Sequence, residues 1–284
     1  MTERLAEITA RIGGIQQLGA VVNAMRGIAA ARVQQAAGQL AAVDRYAAVI
    51  AAAIGRALAL APAAPPGAAQ KPAHPALVLF CAEQGFAGPF SGRVLDAAGG
   101  DLGTSELFLV GTRGRPVLAE RNLEAGWHGA MPSHAPGVPK LADRVAQALY
   151  KQIAEGRVDQ LDMVFSQWQS GQGIRVERQR LFPFDFAAFP HPKAADAPLL
   201  NLAPAALLLD LTADYMHAQL CKAALHAFAA ENQARMEAMA AARSGIERQL
   251  SSLQAKQRQV RQEEITAEII ELAAGETASR SGTA

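Results

Sequence analysis

The sequence predicts an α+α/β fold: a long antiparallel coiled coil formed by the N- and C-terminal helices, plus a small Rossmann-like α/β domain between them. Three observations carry this. Apolar residues recur three and four apart from the first residues almost to Pro62. No proline occurs from Leu207 to Ala274. The middle third alternates short apolar runs with helix-period segments.

The first helix is assigned to residues 1–60. Its stripe reads Leu5, Ile8, Ile12, Ile15, Gly19, Val22, Arg26, Ala29, Val33, Ala36, Leu40, Val43, Ala47, Ile50 and Ile54, a seam of about seven heptads in which only Gly19 and Arg26 are not apolar side chains. A helix of roughly 50 residues is about 75 Å long, too long to lie wholly against one small domain. Such a stripe needs a partner helix.

Leu60 to Pro75 is a Pro- and Ala-rich linker that no regular element accommodates, since proline fixes φ and lacks a donor. The α/β domain is placed at residues 76–190. It opens with a strand at Ala76 to Ala82, a helix begun by Pro89, a second strand at Glu106 to Gly111 and a short helix near Pro116 to Arg121. A Gly/Pro/His loop from Glu124 to Pro139 leads to an amphipathic helix at Lys140 to Glu155. Next comes a strand with Leu161, Met163 and Phe165 on one face. Gly171 and Gly173 turn the chain into a return strand, Ile174 to Phe182, whose mixed pattern suits a sheet edge.

The second arm, residues 205–275, shows apolar side chains at Leu211, Tyr215, Leu225, Met236, Met239, Ala242, Ile246, Leu250, Leu253 and Val260. The phase then shifts to Ile265, Ile269 and Leu272, as a stutter produces, and Gly275 is expected to end the helix. Arms that leave one domain at adjacent ends pair by running in opposite directions.

Composition narrows the function classes. A net charge of +1 over 284 residues provides no global field for nucleic acid or an anionic membrane. Two cysteines, Cys81 and Cys221, are too few for a secreted disulfide framework and point to a reducing cytoplasm. The N-terminus mixes acids and bases, unlike a signal peptide, and no charge-free apolar run of about 18 residues is present.

No motif for catalysis stands out, and neither cofactor nor metal is expected. The segment Gln84 to Gly88 (QGFAG) follows a strand and precedes a helix, a setting for anion binding, but it lacks the glycines of a dinucleotide fingerprint and also reads as a tight turn. Six histidines show no metal-ligand spacing; His128 and His134 share the loop before the amphipathic helix. Arg26, the one charge in the first seam, either snorkels out beside small neighbours or meets an acidic surface of another protein, and Arg243 admits the same two readings.

A resemblance reaches both arms. ENQARMEAMAAA (Glu231 to Ala242) and VRQEEITAEIIELAAG (Val260 to Gly275) look like the end of the gamma subunit of rotary F-type ATP synthases, and RIGGIQQLGAVVNAMRGIAAARV (Arg11 to Val33) is similar to that family's first helix. The middle departs from the family. Where acid or Ser, Arg, Gly, Leu, Cys, Gly is usual, this chain has Glu83, Gln84, Gly85, Phe86, Ala87 and Gly88. Arg258, Gln259 and Gly27 also differ, so the chain resembles a divergent, N-type ATPase-like paralogue.

The resemblance implies a non-catalytic central rotor shaft on the cytoplasmic face of the cell inner membrane. Its implied partners are nucleotide-binding alpha and beta subunits, an epsilon-type subunit and a membrane ring of small c-type subunits, with no nucleic acid. It also implies partner contacts at Met25, Arg26, Arg235 and Met239, grouped together, and at Arg261 and Gln262, facing acidic loops of the catalytic subunits. A coiled-coil adaptor unrelated to ATP synthase is the alternative reading, and a small α/β enzyme the third.

Overall fold

The computed structural model describes residues 2–60, 73–169, 171–190 and 200–281. Two long helices dominate it: α1, Thr2–Leu60, and α5, Pro204–Ser281. The chain divides into two compact units, Met1–Ile28 with Met236–Ala284 and Ala29–Arg235. Each unit takes part of both helices.

In the first unit the two helices run antiparallel. Gln257 donates to Thr9 at 2.8 Å, a methyl on Gly19 would lie 3.5 Å from Ile246 Cγ2, and Arg243 donates to Asn23 at 3.5 Å. Residue numbers rise on one helix as they fall on the other. Apolar side chains fill the seam: Ile8 and Ile12 pack with Val260, and Val22 packs with Met239 and Ile246.

Three details differ from the sequence expectation. Arg26 is exposed, while its neighbour Met25 joins the Val22 cluster, so the stripe steps around the charge. Ile265, Ile269 and Leu272 do not continue the seam; they are 51%, 60% and 75% exposed. Thr9 lies opposite Gln257, and these three side chains join none of the clusters that the two helices form in this unit. Helix α5 also continues through Gly275 to Ser281, because a glycine weakens a helix without having to end it.

The second unit holds a five-stranded sheet in the order β3-β2-β1-β4-β5. Its strands are β1 (Pro75–Phe80), β2 (Glu106–Val110), β3 (Trp127–Gly129), β4 (Gln160–Gln169) and β5 (Gly173–Phe182). β1 pairs in parallel with β2 and β4, β2 pairs in parallel with β3, and β5 returns antiparallel to β4. Helices α2 (Phe90–Ala98), α3 (Gly114–Glu120) and α4 (Val138–Ala154) complete the unit. β3 lies inside the segment read from sequence as loop. Three residues beside Gly126 and Gly129 carry no periodicity to recognise.

Being covered on both faces explains why β1 reads as a continuous apolar run. Val78, Phe80, Phe108, Met163 and Phe165 face one core, which also takes Leu220, Ala224 and Phe228 of α5. Leu77, Leu79, Leu109 and Val164 face the other, with Val94 and Leu95 of α2. β5 is an edge, as its mixed pattern suggests. Its Arg178 and Arg180 converge on Asp162 of β4, an acid 3% exposed that the alternation gave no reason to single out. Within this unit α1 and α5 also meet: Lys222 pairs with Asp44 at 2.7 Å, and Leu211 and Tyr215 of α5 pack against the cluster of Ile50, Ile54 and Phe189.

Two predictions follow from packing. Gly111 has φ +95°, and a Cβ there would fall 2.2 Å from the Cys81 carbonyl oxygen. Gly111→Ala should therefore cost about 2–4 kcal/mol in chemical denaturation of the isolated chain. His226 stacks on Phe165, and burial pushes its pKa down to about 4. Unfolding then takes up one proton between about pH 4 and 6.5, so stability is full above that window and falls as pH drops through it. His226→Phe should flatten that slope in a denaturation series from pH 4 to 7.

Candidate functional site

The parallel strands β1, β2 and β3 end together, where open α/β sheets commonly hold ligands. Here the strand ends are tied to one another and to α5 by charged side chains. Glu231 of α5, 3% exposed, accepts from the backbone N–H of Glu83 at 3.0 Å and of Gln84 at 3.1 Å. Arg235, one turn later and 4% exposed, pairs with Glu231. It also donates to the carbonyls of Gly85 at 3.1 Å and Gln84 at 3.3 Å, and to Asn232 Oδ1 at 2.9 Å.

Glu83 extends the network sideways. Its carboxylate accepts from the N–H of Thr112, after β2, at 3.1 Å and from the N–H of Met131, after β3, at 2.9 Å. Three strand ends are thus fastened to one helix. Glu231→Ala would strand two backbone amides and the Arg235 guanidinium, an expected loss of about 3–5 kcal/mol. Glu247→Ala breaks only an exposed one-turn pair with Arg243 and should cost less than about 1 kcal/mol in the same denaturation assay.

This geometry gives the QGFAG segment a defined role. The Gln84 amide, with that of Glu83, donates to the Glu231 carboxylate, an anion supplied by the chain itself. The segment is a tight turn, with Phe86 at φ +62° and its ring 65% exposed. Nothing in the sequence around Gln84 points to this, because its partners lie about 150 positions away.

Nucleophilic chemistry finds little to work with. Cys221, His217 and Asp143 line up, with Sγ 3.9 Å from the imidazole and Nε2 3.0 Å from the carboxylate. Burial, however, pushes the Cys221 thiol up to about 12, and Cys81 likewise to about 12. Both stay protonated at neutral pH, and a thiol is a poor nucleophile. Among the described residues, no group of three or more His, Cys, Asp or Glu is placed to hold a metal ion. His128 stands on β3, and His134 caps the three-residue turn Ala135–Gly137.

The residues singled out from sequence fall in both units. Met25 and Met239 join one cluster in the first unit, and Arg26 is exposed there. Arg235 belongs to the second unit, turned inward on Glu231. Arg261 and Gln262 are exposed on α5.

Residues 4–278 match the family model described as ATP synthase. The ATP synthase gamma chain of Parafrankia sp. (strain EAN1pec) is 28% identical over 303 residues, covering 99% of this chain and all of the relative. The ATP synthase gamma chain of Streptomyces griseus is 30% identical over 233 residues, covering 76% of this chain and 75% of the relative. The fold is shared with the rotor of the Euglena gracilis mitochondrial ATP synthase, at TM-score 0.63 and 12% identity over 93% of this chain and all of that one. It is also shared with the central stalk and c-ring structure of the Tetrahymena thermophila enzyme, at TM-score 0.55 and 16% identity over 78% of this chain and 99% of that one. A match across nearly the whole length, and not over the arms alone, means that this chain belongs to the ATP synthase gamma-chain family.

Proposed function

We propose that the chain is the central rotor shaft of an ion-translocating F-type ATP synthase or ATPase, coupling ion-driven rotation to ATP synthesis or hydrolysis in partner subunits. The observation that carries this reading is the antiparallel pairing of α1 with α5 in the first unit, together with the apolar side chains of α5 that continue past it. Ile265, Ile269 and Leu272 are exposed on the far end of α5, and apolar side chains of that size call for a surface to lie against. Nucleotide-binding alpha and beta subunits supply that surface and the nucleotide chemistry.

The chain itself is non-catalytic. An epsilon-type subunit and a ring of small c-type membrane subunits complete its partners, and its place is peripheral, on the cytoplasmic face of the inner membrane. No helix among the described residues is long and apolar enough to cross a membrane, which agrees with attachment through the complex. Its faces differ, so each catalytic site meets different side chains at each angle. Rotation then changes nucleotide affinity by as much as those contact free energies differ, and by no more.

Exposure and polarity favour Arg26, Arg261 and Gln262 as direct contacts, with Met25 beside Arg26 on the same turn. Met239, packed behind Met25, supports that surface from within. Arg235 acts through the loop that it holds.

Co-expression with alpha and beta subunits should yield a stable complex containing this chain; a homodimer recovered free of them would favour an adaptor. In the assembled complex, Arg261→Ala with Gln262→Ala should lower ATP synthesis by about tenfold while leaving the melting temperature of the free chain unchanged. Synthesis at the unsubstituted rate would remove these two residues from the contact.

A further inference from the structure

Helix α5 meets the sheet of the second unit through apolar side chains: Met216, Leu220, Leu225 and Phe228 with Ala223, Ala224 and Ala227 on one core, and Ala230 and Ala234 on the other. Such contacts are non-directional, since dispersion between apolar surfaces varies little with the angle at which they meet. The charged groups by which α5 reaches the ends of the parallel strands are directional, and they are concentrated at one place.

We infer that Glu231 and Arg235 form the key that locks α5 to the α/β sheet against rotation, so that torque passes through this pair between the sheet and the helix. The inference rests on the rotor reading and adds the residues that make the shaft rigid under load. The pair grips the loop after β1 by opposite polarities: the carboxylate takes the N–H groups of Glu83 and Gln84, and the guanidinium takes the carbonyls of Gln84 and Gly85. Turning α5 in either direction pulls on one set or the other. Glu83 spreads that pull to the segments after β2 and β3, so the load reaches three strands.

Burial suits the pair to this task. Both side chains are almost wholly out of water, and asking either to leave the other exposes an unpaired charge to a poorly polarisable interior. An exposed pair such as Arg243 with Glu247 exchanges its partner for water at little cost and would slip. Asn232 steadies the guanidinium from the same helix, accepting from Arg235 and donating to the Phe228 carbonyl at 2.8 Å.

The test compares loaded with unloaded rotation in assembled complexes carrying Glu231→Gln or Arg235→Lys. ATP hydrolysis by the catalytic head with this chain, free of the membrane ring, turns the shaft without load. It should stay within about twofold of the unsubstituted complex. ATP-driven ion transport into sealed vesicles by the complete complex turns it against load. Ions moved per ATP should fall by about three- to tenfold, with Arg235→Lys the milder because it keeps the charge but not the forked reach. A purely structural role would lower assembly yield and hydrolysis while leaving ions moved per ATP unchanged, and that outcome overturns the inference. Should Glu231→Gln not assemble, the same ratio measured on Arg235→Lys decides. If the unsubstituted chain neither assembles with the head nor supports transport, the rotor reading itself fails, a result separate from any difference between variants.

Discussion

An apolar stripe on a 59-residue helix has to be covered, and the antiparallel pairing of α1 with α5 is what covers it. Among the described residues of the first unit, the apolar clusters contain side chains of these two helices alone. The pairing therefore sets the register, and the register decides which side chains are left over. Arg26 turns outward, Met25 turns inward, and Ile265 and Ile269 beyond Val260 stay exposed. Each of these follows from the register in which one stripe covers the other.

Much of this was legible from spacing alone. The positions spaced three and four apart from Leu5 to Ile54 are the buried or half-buried ones, with Arg26 the exception, because a period sustained for so many turns has few alternative explanations. The five-stranded sheet was legible in four strands. β3 was not, since Trp127, His128 and Gly129 form a short edge whose only signal is one aromatic residue. Ile265, Ile269 and Leu272 misled for a different reason. Their spacing is helical and apolar, and pattern cannot say whether a partner helix reaches that far.

The charged network at the strand ends was the least legible part. Glu231 and Arg235 sit one turn apart on a helix, the arrangement of an ordinary exposed ion pair, and sequence offers no means of telling a buried pair from a solvated one. What makes them different is the loop about 150 residues earlier in the chain, whose amides and carbonyls they satisfy. The same network gives the QGFAG turn a structural role. A carboxylate from within the chain takes the amides of Glu83 and Gln84, and the turn holds strands and helix together.

A shaft has requirements that an ordinary domain does not. Folding stability asks only that the native contacts outweigh chain entropy, and apolar faces meet that demand by taking area out of water. Torque asks in addition that contacts resist displacement in a particular direction, for which dispersion between apolar groups is poorly suited: it varies little as one surface slides over another. Hydrogen bonds to charged groups vary steeply with distance and angle. A helix that packs by apolar side chains and is fastened by a buried carboxylate and guanidinium divides the two tasks between two kinds of contact. On that account the departures from the family pattern at Gln84 and Phe86 cost little, since the pair grips main-chain atoms and the side chains of the turn are free to differ.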